Sequence, residues 1–329
     1  VCSPRPCRNR AARGWDAGRV CYLERDDGHI TVLGAYAFDT ERDAAEAAES
    51  EEANPPLHAD EDAVAALGSN AFSLSVRASA YSHDEALYLE AYEDGKLIGR
   101  FYLDLVPRAD QESHFYGVPL APGYQQTDGY EIPVAMLLGN FTPGSDELPS
   151  LVSHSELRTL FHEFGHIAAS MAFNGKYAMQ NGSLPDFAEA MSQLFENWIW
   201  DYDILKTFAT HYDTGEVLPE ETFNNMLAAK TLISGISAQG SVRLSMYDME
   251  LYDRYDPDNP VPTDQIWRNL AGKFAYSGYI DGTHPQAAWI HINTHTVYYY
   301  GYLWSEVYAQ DMFTLFEQNG LLDQESGVR

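Results

Sequence analysis

The chain has 329 residues, 45% of them hydrophobic, and its 49 acidic against 20 basic side chains give a formal charge of −29. That apolar share can build a substantial core. No run of 18 apolar residues offers a membrane span, and the charge argues against nucleic acid and anionic membranes as partners. The three cysteines, Cys2, Cys7 and Cys21, crowd into one end, an odd number with no histidine spaced around them, so they suggest neither a disulfide framework nor a metal site.

In chain order, the first 25 residues hold six arginines, after which the chain turns acidic and has only five lysines in all. Residues 1–78 therefore read as an acidic N-terminal segment with an Arg- and Cys-rich lead-in. The lead-in lacks an apolar h-region, so it is not a signal peptide. Residues 40–65, dense in Ala, Glu and Asp, are expected as a surface helix or a flexible acidic segment. Leu87–Tyr92 and Leu97–Val106 are strand-like, with Asp94-Gly95 as their hairpin turn. A third strand is expected over Ile132–Leu138. This small sheet leads into a helix, as where an edge strand lines a peptide-binding cleft.

The helix carries Thr-Leu-Phe-His-Glu-Phe-Gly-His, residues 159–166. His162 and His166 are four apart and share one face, so both can reach one tetrahedral zinc; Glu163 between them suits a general base acting on a water at the metal. A helix whose histidines merely face solvent is the plain alternative. The metzincin continuation is absent, because Ala169 and Ala172 stand where its glycine and third histidine belong. A third ligand must then come from another element. Residues 183–198 read as a second helix, with Ser183 as N-cap and Pro185 near its start. Asp186, Glu189, Gln193 and Glu196 recur along one side of it, as a metal-facing or a solvated acidic face.

Residues 203–255 read as amphipathic helices broken near Thr214-Gly215 and Gly235. Asp253, Asp256 and Asp258 lack the glycine and closing glutamate of a calcium loop, and a Pro-rich turn is expected instead. Between Gly282 and Tyr302, His284, His291 and His295 lie close to Tyr298, Tyr299, Tyr300 and Tyr302. An aromatic helix packed into the core accounts for such tyrosines; hydroxyl and imidazole donors for an oxyanion are the functional counterpart.

Four stretches in order, residues 95–108, 151–166, 186–193 (Asp-Phe-Ala-Glu-Ala-Met-Ser-Gln) and 299–308 (Tyr-Tyr-Gly-Tyr-Leu-Trp-Ser-Glu-Val-Tyr), resemble the thimet oligopeptidase and oligopeptidase A family of zinc metallopeptidases, which includes bacterial dipeptidyl carboxypeptidases. The resemblance runs from about residue 79 to the end. It implies a mainly α fold with a small β-sheet, a gluzincin catalytic domain over 79–329 with its metal site on two neighbouring helices. It also implies one Zn2+ held by His162, His166 and Glu189, and Glu163 as general base. Tyr302 and His291 would donate to the oxyanion and Tyr299 would help position substrate. Here the chain departs from the family: relatives carry a Gly-rich loop ending in another tyrosine, where this chain reads His-Ile-Asn-Thr-His-Thr-Val and places His295. Asp186 and Glu196 are candidates to accept the outer N–H of a ligating histidine.

The implied protein is a monomeric cytoplasmic oligopeptidase acting on short peptides, without nucleic-acid or membrane partners. The competing reading is a non-catalytic zinc- and peptide-binding fragment. Relative to the family the chain looks truncated at both ends, which predicts exposed apolar patches near Leu315, Phe316 and Phe101.

Overall fold

The computed structural model describes residues 22–24, 30–32, 73–76 and 86–329, apart from 94, 108–113, 145–148, 181, 324, 325, 328 and 329. The acidic stretch 40–65, the three cysteines and Asp94 lie outside the described residues. The protein is mostly helical with a small sheet, and its described residues fall into two compact units. The first holds the residues up to 182, then 191–220 and 311 onward; the second holds 183–190 and 221–310.

The first unit is built on a five-stranded sheet. In chain order its strands are β3 (Ser73–Val76), β4 (Leu87–Glu93), β5 (Lys96–Asp104), β6 (Tyr116–Ala121) and β9 (Val134–Leu138), and in space they run β3-β4-β5-β9-β6. Two short pairs accompany them, β1 (Tyr22–Glu24) with β2 (Ile30–Val32) ahead of β3, and β7 (Tyr124–Gln125) with β8 (Tyr130–Glu131) between β6 and β9 in sequence. All pairings in the large sheet are antiparallel except β5 with β9. The expected strands are present, and Gly95 turns the β4–β5 hairpin with φ +73°. Sequence patterning missed the other strands, among them, at one end of the large sheet, β6. Its side chains are half-buried or exposed throughout, so it lacks the alternation that marks a strand.

Helix α1 (His154–Met171) lies across β5, β6 and β9. A capping box starts it: Glu156 N–H donates to Ser153 Oγ at 3.2 Å while Ser153 N–H donates to the Glu156 carboxylate at 2.8 Å, satisfying two of the amides a helix N-terminus leaves open. Leu157, Leu160, Ile167, Ala168 and Met171 recur on the buried face at helical spacing, facing a sheet side that buries Leu89, Ala91, Phe101, Leu103 and Leu137. Aromatic rings then link in sequence Phe101 to Phe164, Phe164 to Phe195, Phe195 to Trp198, and Trp198 to Phe313 and Phe316, each pair 4.8–5.8 Å apart. The expected bare patches are therefore absent at two of the three named residues: Phe101 is 1% and Phe316 9% exposed, because α1 covers one and Trp198 the other. Leu315 is half-buried.

Residues 183–198 are not one helix. Only α2 (Ala190–Phe195) is helical, preceded by turns in which Phe187 N–H bonds to Leu184 and Ala190 N–H to Phe187, and followed by the single 3-10 turn Trp198–Trp200. After α3 (Tyr202–Leu205) the break expected near Thr214-Gly215 is present, with Thr210 bridged to Val217 and Gly215 at φ +70°.

The second unit is carried by α4 (Glu220–Tyr252), one continuous helix of 33 residues with no break at Gly235. It packs on α5 (Thr263–Phe274) through a core of Tyr247, Ile266, Trp267 and Leu270. Between them the Asp256 carboxylate accepts from Asp258 N–H and Asn259 Nδ2, closing the expected turn. Helices α6 (His291–Thr294) and α7 (Gly301–Asn319) follow, the latter contributing its residues up to 310 to this unit. Exposed apolar side chains gather on this unit instead, among them Leu232, Ile236, Trp304 and Val307.

Two helical glycines give opposite predictions. A Cβ on Gly165 of α1 would stand 2.5 Å from both Met191 O and Ser192 Cα, whereas one on Gly235 of α4 would meet nothing within 4 Å. Gly235→Ala should raise stability by about 0.5–1 kcal/mol through helix propensity alone. Gly165→Ala should lower it by about 1–3 kcal/mol, the backbone clash outweighing the same propensity gain. Urea midpoints check both, and an unchanged midpoint for Gly165→Ala would contradict the contact.

Candidate metal centre

His162 and His166 stand on the same side of α1, their ring centroids 5.2 Å apart and the planes at 83°. His162 Nδ1 is 2.7 Å from Glu196 Oε1. A carboxylate only accepts, so this nitrogen carries the proton, and Nε2 is the nitrogen of His162 suited to ligate a cation. The other oxygen of Glu196 lies 3.2 Å from Arg158 Nε, one turn before His162 on α1. Arg158 is 54% exposed and Glu196 18%, so the pair adds little stability; its effect is to point the carboxylate. The contact expected of Glu196 is thus present.

Glu163, next to His162 in the chain, is buried, 8% exposed. Its Oε2 accepts the Gly117 N–H at 2.6 Å, a short charge-assisted bond from the end strand β6. A Cβ on Gly117 would come within 3.1 Å of Glu163 O and 3.3 Å of His166 Cβ, so glycine lets the strand lie this close to the helix without displacing its neighbours.

On its remaining flank α1 meets the segment that leads into α2. With no Cβ of its own, Gly165 is in backbone contact with Met191 and Ser192. Glu189, 7% exposed, is two residues before Met191, and covalent continuity carries it to the same place. One ligand atom each from His162, His166 and Glu189 lie within 4.8 Å of one another, a group able to hold a metal ion. Two imidazoles and a carboxylate, with one position left for water, fit a catalytic zinc.

The second unit assembles the aromatic and imidazole residues. His291 has its ring 5.0 Å from His295, 5.5 Å from Tyr299 and 6.0 Å from Tyr302, and Tyr299 and Tyr302 are 4.9 Å apart. Burial pushes the His295 imidazole below its usual range and the Tyr299 phenol above its own, while the Glu189 charge acts upward on both. His295 is therefore neutral at pH 7. Its Nδ1 lies 2.8 Å from Thr294 Oγ1. Asp186 enters through its main chain: its carbonyl accepts from Ser305 Oγ at 2.9 Å, and Gly301 at the start of α7 packs on its Cα. The expected carboxylate-to-histidine bond is carried by Glu196, not Asp186, among the contacts the described residues make. His284 pairs with Asp264 at 2.9 Å, and Tyr298 packs on His295 at 5.5 Å.

The family model for peptidase family M3 matches residues 62–329. This chain belongs to peptidase family M3. The M3 chain is 35% identical over 247 residues to a thimet-like oligopeptidase of Dictyostelium discoideum, 32% over 255 to oligopeptidase A of Escherichia coli and 30% over 239 to saccharolysin of Saccharomyces cerevisiae. These alignments cover 73%, 74% and 70% of this chain but 37%, 37% and 33% of the relatives, so the chain spans about a third of their length. The relatives are oligopeptidases of a metallopeptidase family, and no helix among the described residues of this M3 chain is long and apolar enough to cross a membrane.

Sequence reasoning overlooked two contributors to this centre, Gly117 and Gly165. The signal for Gly165 was available, since a glycine inside an otherwise strong helix pattern commonly marks a close approach. Glu196→Ala should weaken zinc binding by about 10–100-fold, because the His162 ring loses its orienting partner. Competition against a chromogenic chelator measures this, and an affinity equal to that of the unaltered chain would refute the assignment.

Proposed function

We propose that this chain is a zinc-dependent oligopeptidase domain that hydrolyses peptide bonds in short peptides, as a monomer in the cytoplasm. The observation that carries the reading is the joint presence of the His162, His166 and Glu189 group with Glu163 held beside it by an edge strand. Family membership and the printed names of the relatives support peptide hydrolysis.

When bound, zinc supplies Lewis acidity toward a water and the scissile carbonyl. His162, His166 and Glu189 hold it, and Glu196 keeps the His162 ring in its ligating orientation. Glu163 takes the proton of the attacking water and passes it to the leaving amine. The Gly117 N–H favours the ionised form of that carboxylate, which is the form able to accept a proton. Tyr302 and His291 donate to the developing oxyanion, and Tyr299 helps orient the peptide. Their gathered rings, with a neutral His295 among them, support that assignment.

The alternative of a non-catalytic zinc- and peptide-binding fragment has one observation in its favour, the third of the relatives' length that the chain spans. Glu163→Gln separates the two. It should retain one zinc per chain by metal analysis and lose hydrolysis of a quenched fluorescent peptide by about 10²- to 10⁴-fold. An unaltered chain that binds zinc and never cleaves would favour the fragment; a zinc-loaded Glu163→Gln that cleaves normally would overturn the mechanism.

A further inference from the structure

Asp248 sits one turn before the C-terminal end of α4, is 1% exposed, and both of its oxygens are used on one distant loop. Oδ1 accepts the Val297 N–H at 2.9 Å and Oδ2 accepts the Tyr299 N–H at 3.0 Å. A buried carboxylate is costly unless it is hydrogen-bonded, and charge-assisted bonds to main-chain N–H groups are the kind that offset such burial. The loop between α6 and α7 is otherwise held by turn bonds, Tyr298 N–H to His295 O at 3.4 Å and Gly301 N–H to Tyr298 O at 2.8 Å, and by the Tyr299 ring on Trp289 at 4.7 Å.

Between those turns Val297 has φ +73°, alone among the described non-glycine residues in being positive. For a β-branched side chain this is strained backbone, which persists only where its surroundings over-determine it. The Val297 side chain is 43% exposed, so packing does not impose the strain, whereas the bond from its own N–H to Asp248 does act at that residue. His295 and Tyr299 lie two residues to either side of Val297, and Tyr302 three residues beyond Tyr299. Helix α6 is held separately, by Trp289 and Ile292 against the Tyr247–Trp267 core and by Tyr252 Oη donating to Ile292 O at 2.7 Å.

We infer that Asp248 is a positioning residue: its carboxylate locks the 295–300 loop in the strained path that brings Tyr299 and Tyr302 against His291. The catalytic meaning of that placement rests on the proposed function above. The structural content does not, because amide exchange reads the loop without reference to hydrolysis.

Hydrogen exchange on the unaltered chain comes first. The Val297 and Tyr299 amides should be protected although they lie in no helix or strand; exchange at the rate of an open loop would overturn the inference, even if no variant can be prepared. Asp248→Asn, which presents an amide NH2 to one of the two donors, should then speed exchange at 297–299 while α1 and α5 stay protected and the zinc content stays the same. In that variant kcat should fall by about 10²-fold with KM little changed, the pattern of mispositioned groups rather than lost binding. Adding Val297→Gly should recover part of kcat, since glycine adopts a positive φ without help. Unchanged loop exchange and kcat in Asp248→Asn would refute the role. An unaltered chain with protected amides and no hydrolysis would instead count against the proposed function and leave the loop anchor in place.

Discussion

A helix can offer two ligands one turn apart, but the third has to arrive from a different part of the chain, and the length of its side chain sets how close that part must come. Packed helices ordinarily keep their axes 8–10 Å apart, separated by side chains. At Gly165 that separation is removed, and the backbone of Met191 and Ser192 rests where a Cβ would be. Glu189, two residues earlier, needs no longer arm than a glutamate's to come within reach of His162 and His166. The packing of one glycine thus brings together three side chains able to hold a metal ion.

Charge raises a second constraint. The chain carries a large negative excess, and three of its carboxylates, Glu163, Glu189 and Glu196, are wholly or largely buried close to two imidazoles. Each needs compensation, since a charge buried without a partner is costly. For Glu196 the compensation is Arg158 and the His162 N–H; for Glu163 it is the Gly117 N–H. Glu189 raises the proton affinity of His295 and Tyr299 around it, and a divalent cation would answer its charge most directly. The three therefore differ in what faces them and not in residue type.

Local rules misjudged the chain where tertiary contacts outweigh modest propensities. Gly235 costs a helix about 1 kcal/mol, too little to interrupt the 33 residues of α4. In the opposite direction, the periodic side chains of 183–198 suggested a helix, yet residues 185–189 form turns. The carbonyl of Asp186 is taken by Ser305, and α7 presses on it through Gly301, so that segment is shaped by its neighbour. The apolar residues expected to lie bare, Phe101 and Phe316, were judged by family length, whereas α1 and Trp198 cover them.

The sequence by itself determined what depends on the regular periods of the backbone. The strands β4, β5 and β9, the helix that sets His162 and His166 on one face with Glu163 beside them, and the capping box that starts it all follow from spacing within a few residues. Tertiary structure alone decided what each carboxylate touches. Periodicity places Asp186, Glu189 and Glu196 on one side of a helix with equal claim, and the family resemblance assigned only Glu189. The Glu196–His162 contact spans 34 residues, Gly117–Glu163 46, and the Asp248 bonds 49 and 51. Separations of that size leave no periodic trace in a single sequence, because they are set by how elements pack and not by how any one of them repeats.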